Sequence, residues 1–144
     1  MANTTKKLFG GEIEIIASGL ETEGRFDLLK STFRPKTEVP LHVHNRYSET
    51  VYLQKGKLTI LIKNKMVRLQ PGEHFVIPAG TPHVVINGDE TSEATVICSP
   101  GGFAWLVQTA GVDPDSKDEV DMELFKKVCD ELGDIMLGPP GTRP

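Results

Sequence analysis

From residue 12 to residue 108, apolar residues come in short runs broken by turn-forming residues. The runs predict strands over Glu12–Ser18, Phe26–Arg34, Leu41–His44, Ser48–Gln54, Leu58–Lys63, Met66–Leu69, His74–Ile77, His83–Asn87, Glu93–Cys98 and Phe103–Gln108. They are rich in Val, Ile, Leu, Phe and Thr, which suit a pleated, half-buried surface. Gly56, Asn64, Pro71-Gly72, Pro78-Ala79-Gly80, Asn87-Gly88 and Pro100-Gly101-Gly102 punctuate them. Strands at this spacing predict an all-β sandwich or barrel rather than a parallel α/β sheet. One helix follows. Pro114 suits a first helical position with Asp113 as cap; alternatively Ser116 caps, with Glu119 completing a capping box. Val120, Leu124, Phe125, Val128 and Leu132 then form one apolar stripe, expected to pack on the outside of the barrel, and Gly133 stops the helix. The stretch Leu137-Gly-Pro-Pro-Gly141 is extended or turned.

With 144 residues, 38% of them hydrophobic, the chain suits one domain with a real core. The expected division is a β-barrel in residues 1–112, its core about 12–108, with a helix and tail in 113–144 packed on the same domain. Net charge is −4 and unevenly spread. Residues 113–134 hold nine acids and three lysines, whereas residues 1–112 hold twelve basic and eleven acidic residues. No basic stripe exists, so nucleic acid is not an expected partner. No apolar run approaches the roughly 18 residues of a membrane span, so no membrane partner is expected either. The N-terminal Met1–Lys7 is followed by no apolar segment of a secretory leader. Two cysteines, Cys98 and Cys129, make no disulfide framework, and a cytoplasmic setting is expected.

Three of the four histidines fall in two segments whose spacing carries chemistry. In the first, His42 and His44 flank Val43, Glu49 follows after four residues, and Gly56 after six more. Alternate residues of a strand share a face, so both imidazoles project together, as a divalent metal requires. Glu49 begins the next run, shares its parity with Val51 and Leu53, and can reach the same point as an oxygen ligand. Taken alone, such a pair more often belongs to a strand with Leu41 and Val43 inside and both histidines in water. In the second segment Gly72, Pro78 and Gly80 shape turns, Pro82 holds Thr81 extended, and His83 opens a strand with Val85 and Asn87 on its own face. Asn87-Gly88 reads as a hairpin turn, and His74 as a strand-end histidine.

Together the segments resemble the two motifs of the cupin superfamily, H-x-H-x4-E-x6-G and G-x5-P-x-G-x2-H-x3-N. Nine positions fit: His42, His44, Glu49, Gly56, Gly72, Pro78, Gly80, His83 and Asn87. The first motif often opens with Gly six residues before its first His, where this chain has Lys36. The resemblance implies a double-stranded β-helix, or jelly roll, with His42, His44, Glu49 and His83 holding one divalent transition metal inside the barrel. Three imidazoles and a carboxylate suit Fe, Mn, Ni, Co, Cu or Zn, and spacing does not choose among them. The segment Ser99-Pro-Gly-Gly-Phe103, the acidic helix and Leu137-Gly-Pro-Pro further resemble the small quercetin 2,3-dioxygenase-like cupins, although an acidic residue that often follows that Phe is here Ala104.

The leading functional expectation is a metal-dependent dioxygenase acting on a small enolic or phenolic, flavonol-like compound. Glu49 would serve as ligand and as catalytic base for the hydroxyl proton. Val51, Leu53, Phe75, Ile77, Val85, Phe103 and Trp105 share the parity to line an apolar pocket. Two competing readings are a non-redox cupin isomerase, epimerase or decarboxylase, and a non-enzymatic small-molecule binding or sensing module. Sheet edges, and the resemblance, lead us to expect a homodimer, with Tyr52 facing outward near its interface.

Overall fold

The computed structural model describes residues 3–144; Met1 and Ala2, where the reading of the N-terminus starts, lie outside them. Eleven strands form two antiparallel sheets: β1 (Thr4–Leu8), β2 (Gly11–Ala17), β3 (Asp27–Phe33), β4 (Glu38–His44), β5 (Ser48–Lys55), β6 (Leu58–Ile62), β7 (Lys65–Leu69), β8 (His74–Ile77), β9 (His83–Asn87), β10 (Ser92–Ser99) and β11 (Asp134–Met136). One sheet runs β1-β2-β3-β10-β5-β8 and the other β11-β4-β9-β6-β7. Consecutive strands β4 and β5, and again β9 and β10, lie in opposite sheets. That crossing produces the expected jelly roll of double-stranded β-helix type. Inward residues of both sheets meet in a core that includes Val51, Leu53, Leu58, Ile60, Leu69, Ile77 and Val85.

The motif residues outside the histidine cluster have structural work. Gly56 has a positive φ of 87°, and a Cβ there would lie 2.8 Å from Ser92 Cα. Only glycine permits both the turn and that approach. Asn87 does not open a hairpin, because β9 pairs with β4 and β6 and the chain then crosses to the other sheet. Its buried side chain instead ties the crossing together. The amide donates to the carbonyls of Arg34 at 2.7 Å and Glu90 at 2.8 Å, and its oxygen accepts from the Ser92 hydroxyl at 2.6 Å. Lys36 adopts the left-handed conformation itself, at φ 58°, so the turn forms without the glycine.

Three expectations about local structure need correction. Phe103–Gln108 is not a strand but most of helix α1 (Phe103–Ala110). Its apolar run satisfies either period; what decides is Asp27 on β3. That buried carboxylate accepts from Gly19 N–H at 2.8 Å, Gly102 N–H at 2.9 Å and Ala104 N–H at 3.1 Å, and so caps the helix from another element. The second helix, α2 (Met122–Leu132), starts later than Pro114 or Ser116. Asp113 and Ser116 accept from the N–H groups of Asp115 and Asp118, two residues on, which favours turns over helix. Asp121 is the cap, accepting from Glu123 and Leu124, and Gly133 ends the helix in the left-handed conformation as expected. Third, α2 does not simply coat the barrel's exterior. Phe125, Val128 and Cys129 pack on Leu106 and Ala110 of α1, and Phe125 and Cys129 reach a cavity shared with the histidines. Strands β1 and β11 were not anticipated.

Candidate metal centre

His42 and His44 come from β4, His83 from β9 and Glu49 from β5. Residues 42 and 83 are paired across the β4–β9 ladder, beside an irregularity between Val39 and His42 that contains Pro40. A proline has no N–H for the ladder, so it fits at such a break. All three imidazoles are buried, and one ligating nitrogen from each lies within 4.8 Å of the others. Leu41 and Val43 are buried too, so this strand is covered on both faces.

Each ring has its Nδ1 committed. That of His42 donates to the Pro40 carbonyl at 2.6 Å, and that of His83 to the Thr81 carbonyl at 2.9 Å. A carbonyl only accepts, so both Nδ1 atoms carry a proton, which leaves Nε2 as the nitrogen each ring can offer a metal. His44 Nδ1 faces the Asp134 carboxylate at 3.1 Å, which gives it the same tautomer. Asp134 is oriented in turn by the Tyr47 hydroxyl, which donates to its other oxygen at 2.7 Å, while the Tyr47 ring stacks on His44. Fixing each imidazole through its second nitrogen is how protein metal sites set ring orientation. His83 Nε2 is fully buried and has no hydrogen-bond partner; it lies 3.5 Å from Glu49 Oε2. An orphaned buried nitrogen beside a carboxylate costs free energy unless a cation joins them, so the donor set fits a divalent ion.

The electrostatics agree. Burial, followed by the charges of His83 and His44, pushes the His42 pKa down to about 3, so the ring is neutral at physiological pH. Burial also disfavours protonation of His44, but its hydrogen bond to Asp134 and the charges of Glu49 and Asp134 outweigh it and raise that pKa. For Glu49, burial acts upward; the approach of His83 and the charges of His44, His83 and His42 overcome it and hold the carboxyl at about 2. Both cysteines are free. Burial raises Cys98 well above the usual thiol range and Cys129 to about 12, so neither is a ready thiolate.

His42, His44 and Glu49 open on a cavity of about 130 Å³. Of the pocket residues expected from parity, Val51, Val85 and Phe103 line it. Leu53, Phe75 and Ile77 pack in the neighbouring barrel core instead. Trp105 is 51% exposed, because α1 is a helix and turns that side chain away from Phe103. Asp134 and Tyr47 escaped the sequence reading. The signal available was an acid immediately after the Gly133 stop, but nothing in the spacing tied it to a histidine 90 residues earlier.

A family model described as Cupin domain matches residues 29–100, half of the chain, including all nine motif positions. The chain belongs to the cupin family. Among relatives of this cupin, quercetin 2,3-dioxygenase of Bacillus subtilis (strain 168) is 27% identical over 100 residues, or 69% of this chain and 29% of that protein. Nectarin-1 of Nicotiana langsdorffii x Nicotiana sanderae is 27% identical over 129 residues, covering 81% of this chain and 55% of that one. The chain thus spans between about a third and about half of the length of these curated relatives. The solved structure of KdgF from Halomonas sp. superposes with a TM-score of 0.61 at 21% identity, covering 67% of this cupin and 86% of its own chain. At that identity the likeness concerns the fold. No helix among the described residues is long and apolar enough to cross a membrane.

Proposed function

We propose that this cupin is a metal-dependent dioxygenase acting on a small enolic or phenolic compound, with His42, His44, His83 and Glu49 as metal ligands. The observation that carries the reading is the convergence of three imidazoles with committed Nδ1 atoms, and an unpartnered His83 Nε2 beside Glu49, at the end of a largely apolar cavity. A bound divalent transition metal would supply positive charge to stabilise a substrate hydroxylate, and redox capacity for a reaction with O2. The chain's own residues do the rest. Glu49, held ionised by the imidazoles, is the acceptor for the hydroxyl proton, and its burial favours taking that proton up once substrate covers it. Val51, Val85 and Phe103 flank the reacting group and keep bulk water from it. A cavity of about 130 Å³ is close to one that takes benzene (about 150 Å³). One ring is enclosed, and the rest of a larger flavonol-like molecule must stand at the mouth.

The test is elemental analysis of protein purified without chelator or histidine tag, beside a His42→Ala/His83→Ala variant, followed by O2-uptake assays with a panel of phenols and enols. About one equivalent of Fe, Mn, Ni, Co or Cu, lost in the variant, together with O2 uptake abolished by Glu49→Gln, is the expected result. Zinc alone with no O2 uptake would overturn the oxygenase reading in favour of non-redox chemistry. No metal, even on reconstitution, would favour a binding module. We also propose a homodimer through the outer face of the larger sheet, where Tyr52, Val76 and Ile97 are exposed. A monomeric mass by light scattering would overturn it.

A further inference from the structure

The cavity next to the histidines has a wall whose chemistry restricts what enters. Ser31 projects from β3 into it, paired in register with Ile13 of β2 and Ala94 of β10. Its residue is 9% exposed, and its hydroxyl takes part in no hydrogen bond among the described residues. The other inward positions of β3 are otherwise accounted for: Asp27 caps α1 and Leu29 lies in the core. Ser31, a largely buried residue, therefore offers the cavity a hydroxyl with a free donor and acceptor in mostly apolar surroundings.

Apart from the imidazoles that a metal would take, the ionisable groups of the wall that can carry charge on a ligand's side are acidic. Glu12, Glu38, Glu49 and Asp134 line the cavity, and no lysine or arginine does among the described residues. One of these acids is already paired: Arg143 holds both Glu38 oxygens, at 3.1 and 3.2 Å, and the Gly141 N–H adds a third bond to that carboxylate. Asp134 is occupied by His44 and Tyr47. An anionic ligand would give up its water for an apolar wall whose only fixed charges repel it, with no cation other than a bound metal to offset that loss.

We propose that Ser31 is a specificity-determining residue that hydrogen-bonds the ligand, and that the cavity selects neutral, largely apolar ligands carrying a hydroxyl or carbonyl for it while rejecting anions. The inference rests on the phenolic reading given above and narrows it. Site-bound metal faces one part of the ligand; Ser31 reads another.

Three catechols para-substituted with hydroxymethyl, methyl or carboxylate share one metal-binding head and differ only in the group offered to the wall. Their binding to metal-loaded protein is measured by calorimetry under nitrogen, so that no turnover intervenes. The hydroxymethyl compound is expected to bind about fivefold more tightly than the methyl compound, the worth of one neutral hydrogen bond. The carboxylate is expected to be the weakest, by about tenfold or more against the hydroxymethyl compound. Ser31→Ala should erase the hydroxymethyl advantage and leave methylcatechol unchanged, while Ser31→Thr, which keeps the hydroxyl, retains part of it. Carboxylate binding as tight as hydroxymethyl, or an equal loss for both neutral compounds in Ser31→Ala, would overturn this inference alone. Failure of all three to bind fully loaded protein would overturn it together with the phenolic reading.

Discussion

His44 on β4 and Asp134 on β11 face each other across one strand ladder, with Nδ1 and carboxylate oxygen 3.1 Å apart and both side chains buried. The Tyr47 hydroxyl closes the far side of the carboxylate at 2.7 Å. A short C-terminal strand thus holds the orientation of an imidazole that belongs to the barrel. Asp134→Asn should leave the barrel folded and weaken metal binding about 10–100-fold, the usual effect of removing such a partner. Competition against a chromophoric chelator measures it, with circular dichroism as the fold control. Tyr47→Phe should cost less, because Asp134 keeps its bond to His44.

The metal-free protein should lose stability as the pH falls. An unfolded histidine titrates near 6.5, whereas folded His42 is held at about 3. Between those values the unfolded chain takes up a proton that the folded one refuses, so stability drops with pH through that window. Glu49, held at about 2 against an ordinary 4.5, contributes in the same direction between 4.5 and 2. His44 acts oppositely: its raised pKa gives stability that is full below its unfolded value and fades as pH rises through the folded one. Urea denaturation should therefore show the metal-free protein weaker at pH 5 than at pH 7.5 by on the order of 1 kcal/mol. A rise in stability toward pH 5 would mean that His44 dominates.

Asp27→Asn keeps the side chain's shape but turns an NH2 group toward backbone donors that now face carboxylate oxygens. A loss of about 2 kcal/mol is expected, the scale of a buried charge-assisted bond left unmade. Urea midpoints give the energy, and hydrogen exchange should show faster opening at Gly102, Ala104 and Trp105. Equal exchange in both proteins would mean that α1 does not depend on this cap.

Lys36→Gly should stabilise the protein slightly. A left-handed lysine costs about 1–2 kcal/mol, part of which returns as the greater unfolded-state freedom of glycine. The net gain expected is about 0.5 kcal/mol, with the Lys36 N–H bond to the Gly88 carbonyl at 2.7 Å retained. A destabilised variant would show that the lysine side chain has a favourable role at this turn.

Most of the barrel was legible because its strands carry a period-two pattern bounded by Gly, Pro and Asn, which local sterics translate directly into turns. The histidine cluster was legible for a similar reason. Residues 42 and 44 share a face by strand geometry, and the motif spacing places 49 and 83 opposite them. What escaped depended on contacts distant in sequence. Phe103–Ala110 is helical because Asp27 caps it from β3, a contact 75 residues or more away. Asp134 reaches His44 because Gly133 turns the chain back along β4. Asp113 and Ser116 looked like helix caps, and their side chains do bond forward to backbone, but in turns that stop short of a helix.

The pairing of β11 with β4 also sets an order of assembly. A ribosome releases His42, His44, Glu49 and His83 well before Asp134, which follows His44 by 90 residues. A nascent chain can therefore close its barrel and expose all three imidazoles while His44 still lacks its carboxylate partner. The segment that locks the ring in place is synthesised after all four of the residues it serves.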